Sequence, residues 1–144
     1  EIKSADNLVF IHDAARPLLS RDDLSALIEM SPRLFEKKEG LLPAEKMKDT
    51  VKRVAVENGE TYVSQSLPRA ELAAVSTPQI FPLDELLQVY ALILKTSGNV
   101  PTDEGEIYFQ AGRKVGIHYL KHGNPKLTTA EDLPVIEALF TSKV

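Results

Sequence analysis

The run Leu8-Val9-Phe10-Ile11, followed at once by His12-Asp13-Ala14-Ala15-Arg16-Pro17, constrains this chain more than any other segment. Unbroken apolar residues over a strand's length read as a strand buried on both faces of a parallel sheet. The strand's C-terminal end turns abruptly polar, with a carboxylate and a guanidinium three residues apart, small residues between them and a proline to stop the strand. In open α/β sheets, ligands sit just outside the carboxyl ends of the strands. Asp13 is therefore a candidate to hold a metal ion or a substrate hydroxyl. Arg16 is a candidate to pair with a phosphate or carboxylate in bidentate fashion. The plainer alternative is an Asp–Arg pair that only pins a strand end.

Helical and extended patterns alternate along the rest of the chain. Ser20-Arg21-Asp22-Asp23 has the form of a helix cap, and Leu24, Leu27 and Ile28 follow at amphipathic spacing. Pro32 is expected to end or kink that helix. Leu41 and Leu42 begin a short strand, which Pro43 would place at a sheet edge or a strand end. Between residues 50 and 66 a few apolar residues are scattered among charged ones, and Asn58-Gly59 is the best two-residue hairpin turn in the chain. That segment reads as an exposed two-stranded arm. An isolated hairpin is marginal in water, so the arm is expected to pack on a partner.

Ala74 to Pro82 reads as extended, with two prolines that exclude a helix interior. Asp84 to Lys95 reads as a helix with Leu86, Val89, Tyr90 and Ile93 on one face, stopped by Ser97-Gly98-Asn99. A short helical stretch follows Thr102-Asp103-Glu104, then a strand from Lys114 to Lys121. The last helix is capped near Thr129, with Leu133, Ile136 and Phe140 as its buried face and Pro134 near its start. The alternation predicts an α/β domain.

The 144 residues fit one domain, and a net charge of -4 argues against broad nucleic-acid binding. No stretch is long and apolar enough to span a bilayer, and the absence of cysteine excludes disulfides and thiolate chemistry. His118 and His122 are four apart but lie on a strand-to-loop segment, without the helical His-Glu-x-x-His setting of a zinc site. His12 reads as a packed, hydrogen-bonded residue rather than a base. There is no Gly-x-Ser-x-Gly elbow, and the seven glycines are too far apart for a phosphate-cradling loop. The remaining polar groups at element ends are Asp13, Arg16, Asp49, Thr50, Arg69, Thr77, Thr102, Asp103, Glu104, Lys126 and Thr128. Hydroxyls and cations bind phosphoryl oxygens, and a carboxylate can carry Mg²⁺. This inventory suits phosphoryl or nucleotidyl transfer, where a protein mainly positions substrates and neutralises charge.

Taken in order, six segments resemble the 2-C-methyl-D-erythritol 4-phosphate cytidylyltransferase family. They are His-Asp-Ala-Ala-Arg-Pro at 12–17, Lys-Asp-Thr-Val-Lys at 48–52, Arg69, Thr-Pro-Gln-Ile-Phe at 77–81, Thr-Asp-Glu at 102–104 and Asn-Pro-Lys-Leu-Thr-Thr-Ala-Glu-Asp-Leu at 124–133. The resemblance implies a Rossmann-like nucleotide-diphospho-sugar transferase fold, here partial: a mostly parallel sheet with a projecting β-hairpin arm. It implies one cytoplasmic domain over 1–144, with 50–66 as the arm of a homodimer. It also implies the reaction of CTP and methylerythritol phosphate, with Mg²⁺, to CDP-methylerythritol and pyrophosphate, a step of the non-mevalonate isoprenoid pathway. The acceptor phosphate attacks the α-phosphorus of CTP in line.

Carried over by position, Asp13 and Arg16 hold the methylerythritol and its metal-linked surroundings. Arg69 and Lys126 position the attacking phosphate as the catalytic pair. Thr50 and Arg69 reach from the arm into the neighbouring subunit's site, and Thr77, Thr102 and Thr128 are supporting contacts. Two departures stand out. Gly123 lies where the family usually has an acid before the Asn-x-Lys motif. The Gly-rich Ala-Ala-Gly-x-Gly-x-Arg loop that cradles the triphosphate is also absent, so the resemblance covers only the C-terminal two-thirds or so of the family. The expectation is a piece of a longer enzyme, or one completed by a separate chain, poorly stable and inactive alone. A ribitol-5-phosphate cytidylyltransferase and a non-catalytic dimerisation or sugar-phosphate-binding module are the competing readings.

Overall fold

Gly40 opens the strand around which the other elements are arranged. In the computed structural model, which describes residues 7–96 and 101–141, a Cβ added at Gly40 would lie 2.5 Å from the Phe81 ring, so only glycine lets the backbone approach so closely. Its strand, β2 (Gly40–Lys46), carries buried Leu41, Leu42, Pro43 and Ala44. Strand β7 (Val115–Tyr119) pairs with β2 in parallel, from Gly40↔Val115 to Ala44↔Tyr119. Strands β5 (Ala73–Val75) and β6 (Gln79–Pro82) pair antiparallel to β2, at Ala44↔Val75 and Leu41↔Ile80. Strand β1 (Leu8–Ile11) pairs antiparallel to β6, from Leu8↔Pro82 to Ile11↔Gln79.

The α/β class holds, and the strand directions correct the expectation of a mostly parallel sheet. β1, β2 and β7 all point one way. In the chain returning from the arm, β6 inserts between β1 and β2 and opposes both, and β5 opposes β2, so among the described residues the one parallel pair is β2–β7. The expectation of a β1 buried on both faces is likewise corrected. Leu8, Val9 and Ile11 are half-buried and Phe10 is exposed, because among the described residues β1 has a single strand neighbour, β6.

Helix α1 (Arg21–Lys37) lies on one face of the sheet, where Leu27 and Leu34 pack with Leu41 and Ile80. Helices α2 (Leu83–Thr96) and α3 (Glu104–Gln110) lie on the other, where Leu86, Val89, Ile93, Ile107 and Tyr108 pack with Leu42 and Phe81. Adjacent Leu41 and Leu42 thus feed opposite cores, as the two-residue period of a strand requires. The stop signal Ser97-Gly98-Asn99 lies outside the described residues.

Two proline expectations are corrected, Pro32 as a helix end and Pro43 as a sheet edge or strand end. α1 runs past Pro32 to Lys37, with Pro32 on the exposed side. A proline inside a helix costs about 3 kcal/mol, whereas burying each leucine yields roughly 1.5–3 kcal/mol. Leu27 on one side of Pro32 and Leu34 on the other together outweigh the break. Pro43 is neither at an edge nor at a strand end: it sits inside the central strand, facing the gap between β5 and β6. Its carbonyl accepts from Ser76 N at 2.8 Å, and its missing N–H falls where the pairing of β2 passes from β6 to β5.

The arm forms as expected, from β3 (Val51–Glu57) and β4 (Glu60–Leu67), with a bulge between Arg53 and Val54. Asn58 and Gly59 both have positive φ, 52° and 84°, as a two-residue hairpin turn demands. Among the described residues, the two strands pair only with each other. Helix α4 (Leu133–Thr141) starts at the residue before Pro134, but its expected inner face is corrected. Ile136 is buried, whereas Leu133 and Phe140 are exposed along with Val135 and Leu139.

Candidate acceptor-phosphate site

Because β1, β2 and β7 point the same way and β6 opposes them, the carboxyl ends of three strands and the start of the fourth meet at one edge of the sheet. Four of the residues singled out in the sequence converge there. Asp13 and Arg16 follow β1, Thr77 precedes β6, and Lys126 lies in the loop after β7. Asp13 Oδ2 takes Arg16 Nε at 3.3 Å and Lys126 Nζ at 3.0 Å. The Thr77 hydroxyl accepts from Asp13 N at 3.0 Å and lies 2.9 Å from His12 Nδ1, while His12 Nε2 lies 3.1 Å from the Arg16 carbonyl. His12 is hydrogen-bonded as expected, but it is exposed rather than packed.

Two cations around one carboxylate leave the cluster with one net positive charge. The hydrogen bond from Lys126 holds the Asp13 carboxyl below its ordinary value, against the opposing effect of partial burial, and Arg16 adds to the lowering. Arg16 commits Nε to Asp13 and Nη1 to the Asn124 carbonyl, at 2.6 Å, which leaves Nη2 as its face toward a ligand. The Lys126 side chain is 45% exposed, open enough to meet an incoming anion. The arrangement can accept a substrate hydroxyl on Asp13 and bind a phosphate on Lys126 and Arg16.

The other sequence candidates lie elsewhere in this chain. The Thr102 hydroxyl donates to Glu106 at 2.8 Å, and Asp103 caps α3 and ties it to β6 through Gln79. Thr128 donates its N–H to Asp132 at 2.8 Å, part of the cap that leads into α4. Thr50 is exposed at the entrance to the arm. Arg69, just after β4 at the same base of the arm, donates to the Lys48 carbonyl at 3.0 Å and lines an open hollow of about 580 Å³ with Lys46, Lys48 and Tyr119. Among the described residues, no group of three or more His, Asp or Glu side chains could by itself hold a metal ion.

Three residues at the site were given no role from the sequence. Asn124 is 1% exposed, and its side-chain NH₂ donates to the Thr77 carbonyl at 2.7 Å. Glu45, at the end of β2, accepts Asn124 N at 3.2 Å. Asp23 is buried and accepts Lys121 N at 2.8 Å, with His122 N and Nδ1 at 3.3 and 3.2 Å, so it anchors the start of the same loop. Asn124 stands in a legible motif. Glu45, and Asp23 in this use beyond its helix cap, gave no signal, because these partners are about 80 and 100 positions away.

The family model described as 2-C-methyl-D-erythritol 4-phosphate cytidylyltransferase matches residues 1–142. A protein of that name from Pseudoalteromonas translucida is 38% identical over 125 residues, covering 87% of this chain and 48% of its own length. Another from Halalkalibacterium halodurans is 36% identical over 140 residues, covering 97% and 58%. The chain spans about half the length of the curated relatives it matches. Among solved structures, the 2-C-methyl-D-erythritol 4-phosphate cytidylyltransferase of Francisella tularensis superposes with a TM-score of 0.78 at 26% identity, covering 94% of this chain and 60% of that one. The enzyme of the same name from Thermus thermophilus gives 0.74 at 28% identity, covering 92% and 61%.

Proposed function

The chain belongs to the 2-C-methyl-D-erythritol 4-phosphate cytidylyltransferase family, and from that premise we propose that the Asp13–Arg16–Lys126 cluster is the acceptor side of a cytidylyl transfer. In this reading methylerythritol phosphate sets a hydroxyl against Asp13 and its phosphate against Lys126 and Arg16. The phosphate is then aimed at the α-phosphorus of CTP, and pyrophosphate leaves in line. The observation that carries the reading is the meeting of two cations on one carboxylate at the strand ends. A phosphate nucleophile needs no general base of high pKa, so holding and orienting it is the main task.

Mg²⁺ fits as an ion carried by the nucleotide phosphates, where it neutralises charge. Mg²⁺ keeps several waters and uses one or two carboxylates plus substrate oxygens. Both cations meet Asp13 on Oδ2, so Oδ1 is the oxygen left to face such an ion.

The partner we propose is a second copy of this chain. Val54, Val56 and Val63 form one face of the arm, 56%, 70% and 63% exposed, an apolar surface that a lone hairpin leaves in water. Arg69 and Thr50 both stand at the base of the arm, beside the Val51–Leu67 pair, and the reading sends them toward the partner's Lys126 cluster. Titration calorimetry with methylerythritol phosphate and ribitol 5-phosphate tests the substrate reading. The account expects saturable binding of the first and at least tenfold weaker binding of the second. Equal affinities would overturn the choice of alditol, and no binding of either would overturn the site.

A further inference from the structure

Lys126 reaches Asp13 from a segment, residues 120–129, that has no helix or strand of its own. A side chain on such a segment meets a fixed partner only if the backbone beneath it is held, and each N–H so held needs an acceptor. Asp23 holds the segment's start through the Lys121 and His122 N–H groups, and the Ala15 carbonyl holds its far end through Leu127 N at 2.8 Å. The middle is held at Asn124. The Asn124 N–H goes to Glu45 Oε1 at 3.2 Å, its side-chain NH₂ to the Thr77 carbonyl at 2.7 Å, and its carbonyl receives Arg16 Nη1 at 2.6 Å. The central strand β2 holds the segment twice: the Ala44 carbonyl accepts Leu120 N at 3.0 Å, and Glu45 is the β2 side chain that reaches its middle. Gly123 leaves its approach open. A Cβ built there would find only Glu45 Oε2 within 4 Å, at 3.9 Å, and the backbone is not in the left-handed region that glycine favours.

We propose that Glu45 is a positioning residue for the acceptor site. Its carboxylate, fixed at the end of β2, holds the Asn124 N–H and thereby sets the Asn124 carbonyl against Arg16 and the Lys126 ammonium against Asp13. The chemical consequence rests on the transfer reading above, whereas the mechanical one does not. Removing the acceptor leaves a 1%-exposed Asn124 with an unpaired N–H, and the segment relaxes to hydrate it.

The test is amide hydrogen exchange on the full chain, read at Leu127, whose N–H reports docking of the segment on the Asp13–Arg16 loop. In Glu45→Ala the exchange at Leu127 is expected to rise about tenfold while Leu41 and Leu42 in β2 are unchanged. In Glu45→Gln, whose amide oxygen can accept the same bond, it is expected to stay within about twofold of the parent. Methylerythritol phosphate binding should weaken about tenfold in Glu45→Ala and recover in Glu45→Gln. The proposal is overturned if Leu127 exchange does not change in Glu45→Ala. It is equally overturned if Leu127, Leu41 and Leu42 all loosen together, which marks loss of the strand, or if Glu45→Gln is as impaired as Glu45→Ala. If the parent chain binds no methylerythritol phosphate, the transfer reading fails, and the exchange results still decide the role of Glu45.

Discussion

Ser20 and Asp23 form the N-terminal cap of α1, and the same Asp23 carboxylate gathers the Lys121 and His122 N–H groups from the far side of the chain. Burial pushes the Asp23 carboxyl up, but the hydrogen bonds from Ser20, from the Lys121 backbone and from His122 together outweigh it and hold the group below 3.8. A carboxyl whose folded value lies below its unfolded one contributes stability above the unfolded value and loses it as pH falls through the folded one. Asp23→Asn is therefore expected to lower stability by about 2 kcal/mol at pH 7. Urea denaturation should show the gap to the parent closing as the pH drops below 3.8. A gap that stays constant as the pH falls well below that value would mean the charge of Asp23 contributes nothing. At this scale the sequence revealed the cap, from local spacing alone. The second use of Asp23, like that of Glu45, was hidden because hydrogen bonds over long sequence separation leave no periodic trace. Asp13 and Arg16 were legible for the opposite reason: a polar turn after an apolar strand is a local pattern with a positional meaning.

Among the elements, the Asn58-Gly59 turn was the firmest expectation, and its geometry agrees, with both residues at positive φ. Gly59 has open space around it, so a larger residue meets no clash, and the cost of replacement is conformational. Gly59→Ala is expected to destabilise the turn by about 1 kcal/mol. Exchange of the arm amides should then be roughly fivefold faster, with α1 and β2 unaffected. Pro32 and Pro43 were misread for a shared reason. Proline rules describe what a residue costs locally, and packing at Leu27, Leu34 and Leu41 decided the outcome at both places. The direction of β6 was out of reach as well. Ile80 and Phe81 would suit a parallel or an antiparallel strand equally, and only the return of the chain from the arm fixes which occurs.

For the whole molecule, the α/β class and the meeting of Asp13, Arg16, Thr77 and Lys126 at the strand ends followed from the alternation of elements and the strand-end rule, whereas the exposed apolar surface did not. Val54, Val56 and Val63 on the arm, and Leu133, Val135 and Phe140 on α4, are all exposed in the single chain. Apolar spacing on a helix says which residues share a face and not what covers that face. Under the homodimer reading the arm face is covered by a second copy. Val54→Lys combined with Val63→Lys should shift sedimentation from dimer to monomer at micromolar concentration while leaving the α1 and β2 amides protected. A parent chain that sediments as a monomer would contradict that part of the account.

The most direct measurement of the central claim is a map of where methylerythritol phosphate lands on the chain, by ¹⁵N chemical-shift perturbation during titration. The account predicts saturable shifts at Arg16 Nε and at the amides of Asp13, Thr77 and Lys126, lost in Lys126→Ala. The ion pairs of Glu85 with Lys38 and Arg113, at the opposite end of the sheet, should stay silent. Shifts centred on Lys38 and Arg113, or binding indifferent to Lys126, would contradict it.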